Sequence, residues 1–60
     1  MNHKIWSDAY EGKILSGASD LTATGYADGI SCYGMDSDYE RKNEYAEAYY
    51  EGRSHRVVEK

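Results

Sequence analysis

Acidic and aromatic side chains dominate one stretch of this chain, residues 39–52, which read YERKNEYAEAYYEG. Four glutamates and four tyrosines share these fourteen positions. Clustered carboxylates can act as general acids and bases or hold a metal ion, and tyrosine rings can stack on nucleic-acid bases. The same residue types can also form two faces of a helix that binds a protein. Spacing and charge decide among these chemistries.

Neither catalysis nor metal binding fits the spacing of the candidate residues. A hydrolytic site needs a base, a nucleophile or metal, and an oxyanion donor in one pocket, and the chain has no motif of that kind. Asp36, Asp38 and Glu40 resemble the start of a calcium loop, but Arg41 stands at the sixth position, where an EF-hand requires glycine. Helix capping explains these acids better. We therefore predict no catalytic residue, no metal ligand and no cofactor.

The remaining reactive side chains are isolated from one another. We expect His3 and His55 to be exposed, since both lie near the termini. Cys32 is the only cysteine, so no disulfide can form within one chain. We expect it to be a buried or half-buried side chain in a connection between helices. A lone thiol is typical of a reducing, intracellular setting.

The charge of the chain opposes general nucleic-acid binding. Eleven acidic and seven basic residues give a net charge of −4, and residues 36–51 alone carry six acids and two bases. An acidic surface repels phosphate. The first fifteen residues contain no apolar core of a signal peptide, and no apolar run is long enough to span a membrane. These features predict a cytoplasmic protein without a membrane partner.

The glutamates and tyrosines of the opening stretch fit an amphipathic helix. Ser37 followed by Glu40 forms a capping-box pattern, and Gly52 stands where a left-handed terminating residue is wanted. We predict a helix over 38–51, within an amphipathic element at 37–52. At 100° per residue, the four glutamates fall within roughly 60° of one another around the helix and form one ridge, and the tyrosines lie nearly opposite them. The ridge consists of Glu40, Glu44, Glu47 and Glu51, and the other face carries Tyr39, Tyr45, Ala46, Tyr49 and Tyr50.

A second helix is predicted over residues 20–30, as part of an element at 20–31. Asp20 can cap it, and one arc carries Ala23, Tyr26, Ala27 and Ile30. Gly25 and Gly29 lower its intrinsic propensity by about 1 kcal/mol each. Their spacing of four could instead allow another backbone to approach closely. The short connection to the next helix makes the two helices antiparallel neighbours, forming an αα-hairpin.

The N-terminal element, residues 1–19, admits two structures. Trp6, Tyr10 and Ile14 at intervals of four favour a short helix that starts after Asn2 or Ser7 and ends near Gly17. The sequence YEGK could also be a hairpin turn between two strands. We therefore predict one mainly α domain over 1–60, with a basic tail at 53–60. An α+β fold with an N-terminal β-hairpin is the alternative.

Part of the chain, roughly residues 23–52, resembles the ribosome modulation factor family. The resemblance lies in GYADGI at 25–30, a connection that contains cysteine, Arg41, and YAEAY at 45–49. That family is similar in carrying a GYxxGI segment, a Cys-Pro-Tyr connection, an arginine and two tryptophans four apart, whose positions are tyrosine here. The resemblance implies a small two-helix fold that packs aromatics across an αα-hairpin. It also implies a function in silencing ribosomes near ribosomal RNA.

The residues themselves favour a binding protein over an enzyme. A chain of sixty residues buries little surface, so a partner or a second copy is the expected extra source of stability. We expect a small acidic regulator or inhibitor that binds a basic protein or ribonucleoprotein surface, such as that of a nucleic-acid-handling complex, as an accessory protein of a phage or other mobile element would. Its expected contacts are Glu40, Glu44, Glu47, Glu51, Tyr45 and Tyr49. One alternative is a ribosome-associated factor that contacts RNA through Arg41, Arg53 and Arg56, and another is a structural homodimer sealed by tyrosines.

Overall fold

The computed structural model describes residues 3–56, and this part of the chain contains three α-helices and no strand. They are α1 (His3–Leu15), α2 (Asp20–Ile30) and α3 (Asn43–Ser54). Helix α2 is central and packs against both α1 and α3. The mainly α prediction is confirmed, and the alternative N-terminal β-hairpin is wrong because the residues concerned are helical. The end of the predicted basic tail, residues 57–60, lies outside the described residues.

Helix α1 ends at Leu15, near the predicted Gly17, which forms the turn that terminates it. Gly17 has a φ of +97°, a conformation that side chains disfavour. Its N–H donates to the carbonyl of Ile14 at 3.0 Å, and the N–H of Ala18 donates to the carbonyl of Lys13 at 3.0 Å. These two bonds form a Schellman motif, which satisfies carbonyls that the end of the helix leaves free.

Two aromatic side chains attach α1 to α2. The rings of Trp6 and Tyr10 are stacked, with centroids 5.1 Å apart. The Tyr10 hydroxyl donates to Asp20 at 3.0 Å, and this hydrogen bond raises the pKa of Tyr10. No residue of α1 is fully buried, so the helix lies on the surface of α2 and is held by a few specific contacts.

The first residue of α2 is Asp20, but its cap is Ser19. The Ser19 hydroxyl accepts a hydrogen bond from the N–H of Thr22 at 3.3 Å. At the other end Cys32 has a φ of +68°, and the N–H of Tyr33 donates to the carbonyl of Asp28. Cys32 therefore occupies the left-handed position that usually belongs to glycine. Its side chain is exposed, so the expectation of a buried or half-buried thiol is wrong.

Helix α3 begins at Asn43, five residues later than predicted. The predicted capping box is wrong, because residues 37–41 form turns and Lys42 is the cap, without a side-chain bond. The Asp36 carboxylate accepts from the N–H of Asp38 at 2.9 Å, and the N–H of Asp36 donates to the Tyr45 hydroxyl at 2.8 Å. The bond to Tyr45 ties this segment to α3, and its residues form turns instead of extending the helix.

Three glycines lie where α2 and α3 are closest. A Cβ on Gly25 would lie 3.1 Å from the carbonyl carbon of Tyr45, and one on Gly29 would lie 2.9 Å from the Arg53 nitrogen. The close approach predicted for this glycine pair is confirmed. Gly52 is not the predicted left-handed terminus: it is buried inside α3, against the backbone of α2. The close packing of α3 on α2 leaves no room for a side chain at this position. The helix itself ends two residues later, at Ser54.

The core is small, and a buried carboxylate links all three helices. The buried apolar and aromatic residues are Ala23, Ala27, Tyr45 and Ala48. Asp28 of α2 accepts one bond from the Trp6 indole at 2.7 Å and another from the Tyr45 hydroxyl at 2.5 Å. These bonds offset the cost of removing the carboxylate from water. Burial, together with the bond to Asp28, raises the pKa of Tyr45.

Candidate protein-binding surface

One flank of α3 forms an open acidic groove. Three glutamates line it, with Thr22 of α2 and Ala48 of α3 beside them, and the glutamates are Glu44, Glu47 and Glu51. All three glutamates are exposed. Within residues 3–56 Glu47 has no hydrogen bond or ion pair, so its carboxylate is available to a ligand. We call this surface the acidic groove.

The other two carboxylates of the acidic groove are held in place by the neighbouring helices. The Ser19 hydroxyl donates to Glu44 at 3.0 Å, and the Lys13 ammonium lies 3.0 Å from Glu51. The same ammonium lies 4.4 Å from the centroid of the Tyr26 ring. These contacts fix the positions of the carboxylates, and Lys13 partly neutralises one of them. The acidic groove therefore contains two carboxylates with partners inside the fold, Glu44 and Glu51, and one without a partner among residues 3–56, Glu47.

Glu40 does not belong to this groove. It lies in the turns at 37–41, because α3 starts only at Asn43. The predicted line of four glutamates is therefore wrong in its first member. The structure brings the other three together on one helix flank, as the helical spacing predicts.

The tyrosines form a row that runs from the surface through the core and back to the surface. Neighbouring ring centroids are 5.7, 6.2 and 5.8 Å apart along the row Tyr39, Tyr45, Tyr49 and Tyr50. Tyr45 is 0% exposed and Tyr49 is half-buried, with its hydroxyl donating to the Tyr33 carbonyl at 3.1 Å. A partner cannot reach the Tyr45 ring in this structure.

The exposed tyrosine beside the acidic groove is Tyr50, which the predicted contacts omit. It is 57% exposed. Five residues separate Tyr45 from Tyr50, which places them about 140° apart around a helix. Since Tyr45 faces α2, Tyr50 has to face outward. This angle could have been read from the sequence once one of the two tyrosines was assigned to the core.

The three arginines of the predicted RNA contact do not form one patch in the described part of the chain. Arg41 precedes α3 and Arg53 lies in its last turn, so at least roughly 15 Å of helix separates them. The Arg56 guanidinium donates to the carbonyl of Gly29 at 2.5 Å. It is therefore occupied within the fold. Contact of these residues with RNA stays a prediction.

The described residues contain no group of three or more side chains able to hold a metal ion. His3 and His55 are exposed, as expected, and the His55 ring nitrogen lies 3.1 Å from the Tyr26 hydroxyl. Between residues 3 and 56 no helix has the length and apolar character needed to cross a membrane.

Comparison of the chain with protein families, curated proteins and solved structures gave no match.

Proposed function

We propose that this chain is a small, acidic, non-enzymatic regulator that binds a basic surface on a larger protein or ribonucleoprotein. The observation that carries the proposal is the acidic groove, where the unpaired Glu47 stands between two carboxylates that the fold has already positioned. Positioned side chains lose little further freedom on binding, which favours affinity. Complementary charge also accelerates association with a basic partner and rejects acidic ones.

The most concrete version of this function is inhibition of a nucleic-acid-handling complex. Such complexes present basic surfaces to phosphate, and an acidic helix can occupy the same surface. The net charge of −4 over residues 36–51 supports this version, because these residues include α3 up to Glu51 and the acidic turns before it. The chain would then compete with nucleic acid for a site instead of binding nucleic acid itself.

A ribosome-associated factor is the second candidate. It is supported by the α2–α3 pair, in which Tyr45 is buried and Tyr49 half-buried, since the resemblance to the ribosome modulation factor family implies aromatics packed across such a hairpin. This candidate predicts that the chain cosediments with ribosomes. Cosedimentation should weaken when Arg41 or Arg53 is replaced by glutamine.

Affinity capture from the native lysate, with and without nuclease, separates the two candidates. The tagged wild-type chain is compared with Glu47→Lys and with Glu11→Lys, which reverses an exposed charge on α1 instead of α3. We expect a nuclease-resistant basic protein in the wild-type and Glu11→Lys samples and its loss from the Glu47→Lys sample. Equal capture by all three chains would refute the acidic groove as the binding surface. Ribosomal proteins that disappear with nuclease would favour the second candidate.

A further inference from the structure

An exposed aromatic ring and an unpaired carboxylate lie side by side at the outer edge of the acidic groove. Tyr50 follows Glu47 by three residues, and residues three apart are neighbours on a helix surface. Tyr50 is the most exposed of the tyrosines in the row, and Glu47 has no partner among residues 3–56. A flat aromatic face next to a free carboxylate is a combination that a cation can contact through both groups at once.

The fold already uses this chemistry once, inside the molecule. The Lys13 ammonium lies over the Tyr26 ring, 4.4 Å from its centroid, and pairs with Glu51 at 3.0 Å. A cation there contacts an aromatic ring and a groove carboxylate together. Tyr50 and Glu47 offer a second pair of the same kind, and no cation of residues 3–56 lies over the Tyr50 ring or pairs with Glu47.

We infer that the edge formed by Glu47 and Tyr50 takes an arginine side chain from an extended basic segment of a protein partner. This inference rests on the proposed function and specifies the chemistry of the partner. Arginine fits better than lysine because its planar guanidinium can stack on the Tyr50 ring while its N–H groups bind the Glu47 carboxylate. Lysine offers a compact charge that satisfies the carboxylate but stacks poorly.

The charges around Tyr50 give the bound segment a direction. Arg53 follows Tyr50 by three residues on the opposite side from Glu47, and it repels a basic segment. Further basic residues of the segment therefore extend from Glu47 toward Glu44, since Lys13 already neutralises part of the charge of Glu51. The bound chain would cross the flank of α3 above the acidic groove.

Two synthetic peptides of equal length and charge test this inference, one with arginine and one with lysine at every basic position. Their affinities for the wild-type chain, Tyr50→Leu, Glu47→Gln and Tyr39→Leu are measured by fluorescence anisotropy at fixed salt. An exposed cation–π contact of about 0.5–1 kcal/mol corresponds to a twofold to fivefold preference. We expect the arginine peptide to bind the wild type at least twofold more tightly, and this preference to fall toward one in Tyr50→Leu but not in Tyr39→Leu. Glu47→Gln should weaken both peptides.

The outcomes separate this inference from the function beneath it. Equal affinities for both peptides, or a preference that survives in Tyr50→Leu, would overturn the arginine site while leaving an acidic binding surface. If the preference for the arginine peptide is lost in Tyr39→Leu and kept in Tyr50→Leu, the arginine does not bind at the edge formed by Glu47 and Tyr50. If neither peptide responds to Glu47→Gln, the proposed function fails as well. Sedimentation of the free chain adds one control, because a dimer abolished by Tyr50→Leu would mean that a second copy covers the ring, which also overturns the inference.

Discussion

Replacing Gly52 with alanine adds one methyl group where α2 and α3 lie closest. That carbon would lie 2.9 Å from the Ile30 backbone nitrogen and well inside contact with the Tyr26 carbonyl oxygen. The helices would have to move apart by roughly 1 Å to restore ordinary contact distances. Alanine at an exposed position of α1, Gly12, meets nothing within 4 Å and serves as the matched control.

The two substitutions should change stability in opposite directions. Alanine is favoured over glycine in a helix by about 1 kcal/mol, so Gly12→Ala should stabilise the fold by up to that amount. Overpacking costs about 1–3 kcal/mol, and its upper end applies at Gly52 because the obstructing atoms are backbone. We therefore expect Gly52→Ala to lower the free energy of unfolding by about 2 kcal/mol. A chain of this size has roughly 3–9 kcal/mol in total.

Urea and thermal unfolding followed by far-ultraviolet circular dichroism measure both changes. For a domain of this size, 1 kcal/mol shifts Tm by about 4–8 °C. Gly52→Ala should therefore melt about 8–16 °C below the wild type, and Gly12→Ala up to about 8 °C above it. Introducing Gly52→Ala into the Gly12→Ala background keeps the transition measurable. A Gly52→Ala variant as stable as the wild type would refute the close backbone contact between α2 and α3.

The other predictions concern the buried carboxylate and the end of α2. Tyr45→Phe removes a donor from Asp28, so it should cost about 1–3 kcal/mol in urea unfolding, and no loss would contradict the buried bond. Burial and that bond raise the pKa of Tyr45 above its ordinary value of 10.0. The unfolded chain thus loses the Tyr45 proton first, so the contribution of this tyrosine to stability should be fully present below about pH 10 and be lost above it, and the fall above pH 10 should be shallower in Tyr45→Phe. Cys32→Gly should raise stability by about 1 kcal/mol, because Cys32 has a φ of +68°; an unchanged urea midpoint would argue against that conformation.

Helix α2 could be predicted from a local pattern, its arc of alanines. For α1 the aromatic spacing and Gly17 favoured a helix but left a β-hairpin open, and the structure decides for the helix. The start of α3 could not be predicted in this way. The Ser37 and Glu40 pattern is a real local preference, but residues 37–41 form turns, and a bond from the Asp36 N–H to the Tyr45 hydroxyl ties this segment to α3. A single sequence does not reveal that tertiary contact.

Gly52 and Asp28 show why residue type alone misleads. A glycine can adopt a left-handed backbone conformation, or it can let another backbone approach closely because it has no side chain. Only the position of α2 shows that Gly52 has the second role. An aspartate in a helix usually indicates an exposed face. Asp28 is buried because Trp6 and Tyr45 arrive from two other helices to bind it. The acidic groove was partly predictable because its three glutamates share one helix, whose geometry is local.

The most direct test of the proposed function is the salt dependence of affinity for the captured basic partner. Binding of the wild type, Glu47→Lys and Glu11→Lys is measured at several salt concentrations. We expect Glu47→Lys to weaken binding by about 1 kcal/mol, or roughly fivefold, at low salt and to flatten the salt dependence, because an exposed charge contact is lost. The Glu11→Lys control should behave as the wild type does. Equal affinity and equal salt dependence for all three chains would show that the acidic groove is only a solvated surface.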